Sequence, residues 1–114
     1  MSTSLGRQAE DAAASHLHRL GYNLLAQNWR TRWCEIDLIV QKNTTIHFVE
    51  AKYRSTTGFG TGLEYITPKK LQQMHFAAEF WLSRHGRHDH DYTLAAIELT
   101  GDPPTVTSWL EDIS

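Results

Sequence analysis

Two neighbouring segments of the sequence carry acidic and basic side chains within apolar, strand-like runs. Glu35 and Asp37 belong to the segment EIDLIVQ, and Glu50 and Lys52 belong to TIHFVEAKY. Carboxylate oxygens are the ligands that hard divalent cations such as Mg²⁺ or Mn²⁺ prefer. A lysine beside such a cation can orient a water molecule or neutralise charge on a phosphate. These residue types are therefore suited to the hydrolysis of a phosphodiester.

The alternation of side chains along a strand predicts which of these residues face each other. Residues two apart share a strand face, so Glu50 and Lys52 lie on the same side. A two-residue turn at Asn43 and Thr44 aligns the two segments so that Asp37 lies opposite Glu50. Two facing carboxylates about 5 Å apart repel each other unless a cation lies between them. The other pairs in this register are Glu35 with Lys52 and Ile39 with Phe48.

Surface charge is the alternative explanation for the same pattern. Strand carboxylates usually face solvent, and Glu50 and Lys52 can form an ordinary exposed pair. The spacing from Asp37 through twelve residues to Glu50 is short, and it occurs in many unrelated proteins. Glu10, beside the apolar stripe of the first predicted helix, is a third carboxylate that can reach the same place.

Hydrophobic periodicity predicts seven elements that position these segments. A helix over 6–20 carries alanines and leucines at helical spacing, and a second helix begins at Thr67 and Pro68 and ends before Gly86. Strands are predicted over 22–30, 35–41, 45–53, 92–99 and 105–110, and a Gly-rich loop is predicted over 55–62. The order α-β-β-β-α-β-β predicts an α/β domain with a mixed central sheet flanked by helices.

Length and composition limit the class of protein. The 114 residues have an ordinary globular composition, so we expect one domain over 1–114. No apolar run is long enough to span a bilayer, and the first residues do not resemble a signal peptide, so we expect a soluble cytoplasmic protein with no membrane partner. Cys34 is the single cysteine, which excludes an intramolecular disulfide and a Cys-rich zinc site.

Charge is distributed unevenly along a chain whose net charge is −2. All eleven Lys and Arg residues lie between Arg7 and Arg87, whereas six acidic residues and no Lys or Arg follow from Asp89 onward. A basic body with an acidic tail is compatible with binding to a phosphate backbone. Trp33, beside Arg32 in a predicted loop, is a candidate for stacking on a nucleobase.

The ordered motifs of the chain resemble those of the YraN (UPF0102) family. The resemblance covers about residues 5–100, and its motifs are GRQAE at 6–10, NWR at 28–30, EIDLI at 35–39 and FVEAKYR at 48–54. That family is similar to the PD-(D/E)xK nuclease superfamily, which has a restriction-endonuclease-like three-layer fold, and to archaeal Holliday-junction resolvases. The resemblance therefore implies a nuclease-like domain.

The resemblance also implies an activity and a set of site residues. The activity is Mg²⁺- or Mn²⁺-dependent endonucleolytic hydrolysis of DNA, with branched or otherwise unusual DNA as candidate substrates. Asp37 and Glu50 would be catalytic metal ligands, supported by Glu10, and Lys52 would position or activate the attacking water. The candidate phosphate contacts are Arg30, Arg54, Lys69 and Lys70. Related resolvases cut two strands symmetrically, which makes a homodimer a candidate assembly. The alternative is a non-catalytic nucleic-acid-binding or assembly module that keeps the fold.

Overall fold

The computed structural model of the protein describes residues 4–55, 64–87 and 89–114. Its two helices and five strands follow the order predicted from the sequence. The elements are α1 (Leu5–Arg19), β1 (Asn23–Arg30), β2 (Glu35–Lys42), β3 (Thr45–Arg54), α2 (Pro68–Arg84), β4 (Asp91–Thr100) and β5 (Thr105–Leu110). The predicted Gly-rich loop over 55–62 lies outside the described residues, apart from Ser55. Within the described ranges, no helix is long and apolar enough to cross a membrane.

The five strands form one mixed sheet in the order β1-β2-β3-β4-β5. Strands β3 and β4 are parallel and the other three pairings are antiparallel. Since parallel strands need a crossover, the chain returns through α2. The turn between β2 and β3 consists of Asn43 and Thr44, and Asn43 takes the left-handed conformation, with φ 55°. The predicted two-residue turn is therefore confirmed, and so is the pairing of Ile39 with Phe48.

Helix α1 covers one face of the sheet. Its first turn is capped by Ser4, whose hydroxyl accepts the backbone N–H of Arg7 at 3.2 Å. Small and apolar side chains on one side of the helix pack against the strands. The buried residues of this layer, from helix and strands together, are Ala9, Ala13, Leu17, Tyr22, Leu38, Val40, Val49, Ala95, Ile97 and Leu99. Leu20, expected in the apolar stripe, is instead 44% exposed because it lies at the helix C-cap.

Helix α2 covers the opposite face. Thr67 caps it by accepting the N–H of Lys70 at 3.1 Å, and Pro68 occupies the first turn, so the predicted helix start is confirmed. The buried set on this side is Ile36, Ile39, Ile46, Phe48, Met74, Ala77, Ala78, Trp81, Leu82 and Leu94. The helix-sheet-helix arrangement is consistent with the expected three-layer fold. Because both faces of the central strands are covered by apolar packing, charged side chains collect towards the strand ends.

Candidate active site

Strands β2 and β3 separate at Asp37, and the side chain of Asp37 replaces a backbone interaction there. The antiparallel ladder between the two strands stops at the pair Leu38 and Val49. Beyond this pair, the backbone N–H of Ala51 donates to Asp37 Oδ2 at 2.8 Å. The carboxylate of Asp37 therefore occupies the place of a backbone acceptor, and the sheet itself fixes its position.

The carboxyl groups of Asp37 and Glu50 lie within hydrogen-bonding reach of each other at this point. Burial raises the pKa of Asp37, against the opposing effect of its hydrogen bond from Ala51. Burial and then the charge of Asp37 raise the pKa of Glu50. The two residues that the sequence register placed opposite each other are neighbours in the structure. A shared proton or a bound cation is needed to hold two such carboxyl groups together.

Lys70, in the first turn of α2, neutralises part of this charge. Its Nζ lies 3.1 Å from Glu50 Oε2, and the side chains of Lys70 and Glu50 are 30% and 21% exposed. The ammonium group lowers the pKa of Glu50, against the larger effect of burial. A divalent cation that binds Glu50 has to share this carboxylate with the Lys70 ammonium group or displace that group.

Glu10 reaches the same end of the sheet from α1. Its Oε1 accepts a hydrogen bond of 2.6 Å from Asn28 Nδ2, and Asn28 has a left-handed backbone with φ 54°. Burial, followed by the charge of Asp37, raises the pKa of Glu10. Among residues 4–55, 64–87 and 89–114, no three His, Cys, Asp or Glu side chains are close enough together to hold a metal ion. Glu10 therefore lies near enough to Asp37 for the two charges to interact, but it is not part of a close cluster with Asp37 and Glu50.

Lys52 follows Glu50 on the same strand and contacts a residue that the sequence analysis did not identify. Its Nζ lies 5.7 Å from the centre of the Tyr65 ring, and the Arg54 guanidinium lies 5.6 Å from the same ring. The Tyr65 hydroxyl is buried without a hydrogen-bond partner among the described residues, and burial raises its pKa. A single tyrosine outside any motif gave no sequence signal for this position.

The Arg54 guanidinium forms an ion pair with Glu98 of β4. The Glu98 side chain is 8% exposed and that of Arg54 is 21% exposed, so the pair is largely removed from solvent. In the parallel register of β3 and β4, Glu98 lies directly beside Lys52. Part of the hydrogen-bonding capacity of Arg54 is therefore used within the fold, and its contact with a phosphate stays a prediction. The sequence analysis did not identify Glu98, because a single acidic residue in the segment IELT is typical of the end of an ordinary strand.

The remaining candidate phosphate contacts lie at the rim of this site. Arg30 pairs in solvent with Glu35 at 3.6 Å. The predicted pairing of Glu35 with Lys52 does not form, because the ladder between β2 and β3 ends before it. Lys69 borders the entrance to a groove between α2 and the connection that follows β1. Of the predicted phosphate contacts, Lys70 is the one that directly contacts the carboxylate pair, and Lys69 lines the same groove as Lys70.

The raised pKa values of Asp37 and Glu50 predict a pH-dependent stability. The folded protein retains protons on these groups above their ordinary pKa values of 3.8 and 4.5, where the unfolded chain has lost them. Because the folded state binds more protons, the free energy of unfolding falls as pH rises from these values through the raised ones. The variant Asp37→Asn removes the repulsion and should flatten this fall.

Chemical denaturation in EDTA from about pH 4 to about pH 8 compares the two proteins. Each unit of raised pKa corresponds to about 1.4 kcal/mol. An identical pH dependence of stability in the wild type and in Asp37→Asn would contradict the prediction.

The fold and this site define an α/β protein with a carboxylate pair and lysines at one end of a mixed sheet. The family described as "Uncharacterised protein family UPF0102" matches residues 9–97. The chain belongs to this family, as its motifs led us to expect. The match includes the central site residues, which are Glu10, Asp37, Glu50, Lys52 and Lys70.

UPF0102 proteins from other organisms are similar to most of the chain. The chain is 42% identical to one from Pseudomonas fluorescens over 110 residues, covering 94% of this chain and 89% of the relative. It is 40% identical to one from Acidothermus cellulolyticus over 116 residues, covering 90% of this chain and 88% of the relative. For one from Geobacter sulfurreducens the identity is 38% over 96 residues, covering 84% of this chain and 75% of the relative. The similarity therefore extends well beyond the individual motifs.

Proposed function

We propose that this protein is a divalent-metal-dependent endonuclease that hydrolyses DNA phosphodiester bonds. The observation that carries the proposal is the contact between the carboxyl groups of Asp37 and Glu50 where β2 and β3 separate, with Lys52 next on the same strand face. Two partly buried carboxylates this close destabilise a fold unless a proton or a cation lies between them. A costly arrangement of this kind is typical of a functional site.

The donor atoms of the carboxylate pair suit Mg²⁺ or Mn²⁺. Both cations prefer carboxylate oxygens, and Mg²⁺ usually takes only one or two protein carboxylates while keeping several waters or substrate phosphates. Asp37 and Glu50 would hold the cation in this proposal, and Glu10 would support the metal or its waters. When bound, the cation lowers the pKa of a water molecule and stabilises charge on the phosphoryl oxygens.

Two lysines act on the substrate in this proposal. Lys52 lies two residues after Glu50 on β3, and in this proposal its ammonium group would orient the attacking water or compensate charge on the scissile phosphate. Lys70, which pairs with Glu50, would become available to a substrate phosphate when Glu50 binds a cation. The chain thus supplies positive charge both at the reacting phosphate and next to it.

The distribution of charge over the molecule supports DNA as the substrate. Lys70 contacts Glu50, and both Lys69 and Lys70 line the groove next to the carboxylate pair. Glu111 and Asp112 of the acidic tail lie at the other end of the sheet, around a cavity near the turn between β2 and β3 that Lys42 also lines. The two lysines beside the site are available in this proposal for contacts with a phosphate backbone. Branched DNA as substrate, a homodimer that acts on two strands and a cytoplasmic location belong to the same proposal.

We expect Lys52→Ala to lose most of the metal-dependent cleavage. Removing one group that stabilises the transition-state charge costs about 10²-fold or more in rate. The assay uses single-stranded, duplex, flap, fork and four-way-junction DNA, each with Mg²⁺, Mn²⁺ or EDTA. Lys42→Ala is the matched control, because Lys42 lies at the opposite end of β2 with its Nζ 3.0 Å from the backbone oxygen of Leu20. This variant should cut like the wild type.

The same panel distinguishes the proposal from its alternative. Cleavage that continues in EDTA, or that is equal in Lys52→Ala and the wild type, contradicts the assignment of the site. Binding of DNA without cleavage under any of the metal conditions favours a non-catalytic nucleic-acid-binding or assembly module.

A further inference from the structure

A groove of about 580 Å³ adjoins the carboxylate pair, between the connection from β1 to β2 and the first three turns of α2. Lys70 links the two features, because it lines the groove and also pairs with Glu50. Trp33 and Glu35 line one wall. The opposite wall is a single side of α2, formed by Lys69, Gln72, Gln73 and Phe76.

We propose that this groove binds an unpaired nucleotide of the DNA substrate, next to the phosphate that is hydrolysed. The inference rests on the nuclease function proposed above and adds the class of substrate: DNA with a single-stranded segment at the site. Three features of the groove carry it, namely an exposed aromatic ring held in place, amide groups facing it across the groove, and lysines at its border.

Trp33 provides a rigid surface for stacking. Its side chain is 64% exposed, the largest fraction among the exposed large hydrophobic residues of the described chain. The turn beneath it is fixed, since Thr31 Oγ1 accepts the N–H groups of both Trp33 and Cys34 at 3.1 Å. The ring lies 5.9 Å from the Phe80 ring and 5.5 Å from the Arg32 guanidinium. An aromatic ring that is held in solvent by its own turn suits the stacking of a base.

The facing side of α2 has the chemistry that the rest of a nucleotide needs. Positions 72, 73 and 76 follow position 69 by three, four and seven residues, so the four side chains form one stripe of the helix. Gln72 and Gln73 are exposed amides, which can both donate to and accept from the edge of a base. Lys69 and Lys70 supply positive charge for the adjoining phosphates. Phe76, 52% exposed, adds apolar surface.

An unpaired nucleotide fits the groove better than a base pair does. The volume is in the range of cavities that hold a small ligand. Bases within a duplex are stacked on their neighbours, so only an unpaired or extruded base can place its ring against a protein side chain. The groove therefore selects DNA that has single-stranded segments, such as flaps, forks and overhangs.

The test is DNA binding by Trp33→Ala in EDTA, where no metal-dependent cleavage occurs. Fluorescence anisotropy is measured with a labelled single strand, a forked duplex and a fully paired duplex. We expect Trp33→Ala to weaken binding to the single strand and the fork about tenfold and to the duplex less than about twofold. Trp33→Phe should retain most of the affinity. Leu24→Ala is the matched control, because Leu24 is 45% exposed on β1 and does not line the groove.

Four results would overturn the inference. Trp33→Ala could bind all DNAs as the wild type does, or it could lose affinity for single strand and duplex equally. The wild type could also sediment as a dimer and Trp33→Ala as a monomer, in which case the groove holds a second copy of the chain. A wild type that binds none of the DNAs overturns the inference as well.

The binding result can be separated from the nuclease proposal. Cleavage that depends on Lys52, combined with unchanged binding by Trp33→Ala, would refute only the groove. Selective loss of single-strand binding in Trp33→Ala, combined with no cleavage by the wild type, would keep the groove and refute the nuclease function.

Discussion

Asp37→Asn should abolish metal-dependent cleavage while the protein remains folded. The amide has the same shape as the carboxylate, and its Oδ1 can still accept the N–H of Ala51 that Asp37 accepts at 2.8 Å. The separation of β2 from β3 is therefore retained. Loss of a negatively charged ligand removes several kcal/mol of transition-state stabilisation, which is about 10³-fold or more in rate.

Thermal denaturation separates metal binding from chemistry in this variant. The Tm of the wild type should rise when Mg²⁺ or Mn²⁺ is added, since a ligand that binds only the folded state stabilises it. The Tm of Asp37→Asn should not rise, and without metal the variant should be at least as stable as the wild type, because its repulsion with Glu50 is gone.

Glu79→Gln is the matched control for Asp37→Asn. It removes an exposed carboxylate of α2 whose partner, His75, is also exposed, and neither residue lines the groove. It should keep both the cleavage and the rise in Tm. A metal-induced rise in Tm that is the same in Asp37→Asn and in the wild type would refute the ligand assignment.

Glu98→Ala should destabilise the fold by about 3 kcal/mol. The substitution leaves the largely buried guanidinium of Arg54 without its partner, next to the Tyr65 ring. Removing one member of a buried ion pair costs more than the pair contributes, because the remaining charge stays away from water. Urea denaturation at neutral pH measures the loss.

A double-mutant cycle identifies the cause of that loss. Arg54→Ala combined with Glu98→Ala should recover part of the stability, since no charge is then left unpaired. Glu35→Ala, which breaks the exposed pair with Arg30, should change stability by less than about 1 kcal/mol. Equal effects of Glu98→Ala and Glu35→Ala would show that burial of the Arg54–Glu98 pair has no energetic consequence.

The sequence predicts the parts of the site that lie close together along the chain. Side-chain alternation and the turn at Asn43 set the register of β2 and β3 as far as the pair Leu38 and Val49, and Asp37 and Glu50, the next residues along, remain neighbours just beyond the ladder. The same reasoning failed for Glu35 and Lys52, because a register extends only as far as the two strands stay paired. Alternation of side chains carries no signal for the point where strands separate.

Residues that reach the site from distant segments could not be predicted in this way. Glu98 arrives with the parallel strand β4, and Lys70 and Tyr65 arrive with α2 and the segment before it. The sequence does not determine the register of two parallel strands that a helical crossover joins. It also does not determine which face of the helix packs on the sheet. The structure was needed to bring these side chains together.

Two interactions at the site, a hydrogen bond within the hairpin and an ion pair between β3 and β4, close loops of different length. The hydrogen bond from Ala51 to Asp37 spans 14 residues, whereas the ion pair of Arg54 and Glu98 spans 44. The entropy lost on closing a loop grows with its length, and contacts between distant residues slow folding. The hairpin that carries the two repelling carboxylates is thus the low-contact-order part of the domain. Docking of α2 and β4 buries these carboxylates and also brings Lys70 to Glu50, so tertiary assembly creates most of the electrostatic conflict at the site and supplies its partial compensation in the same step.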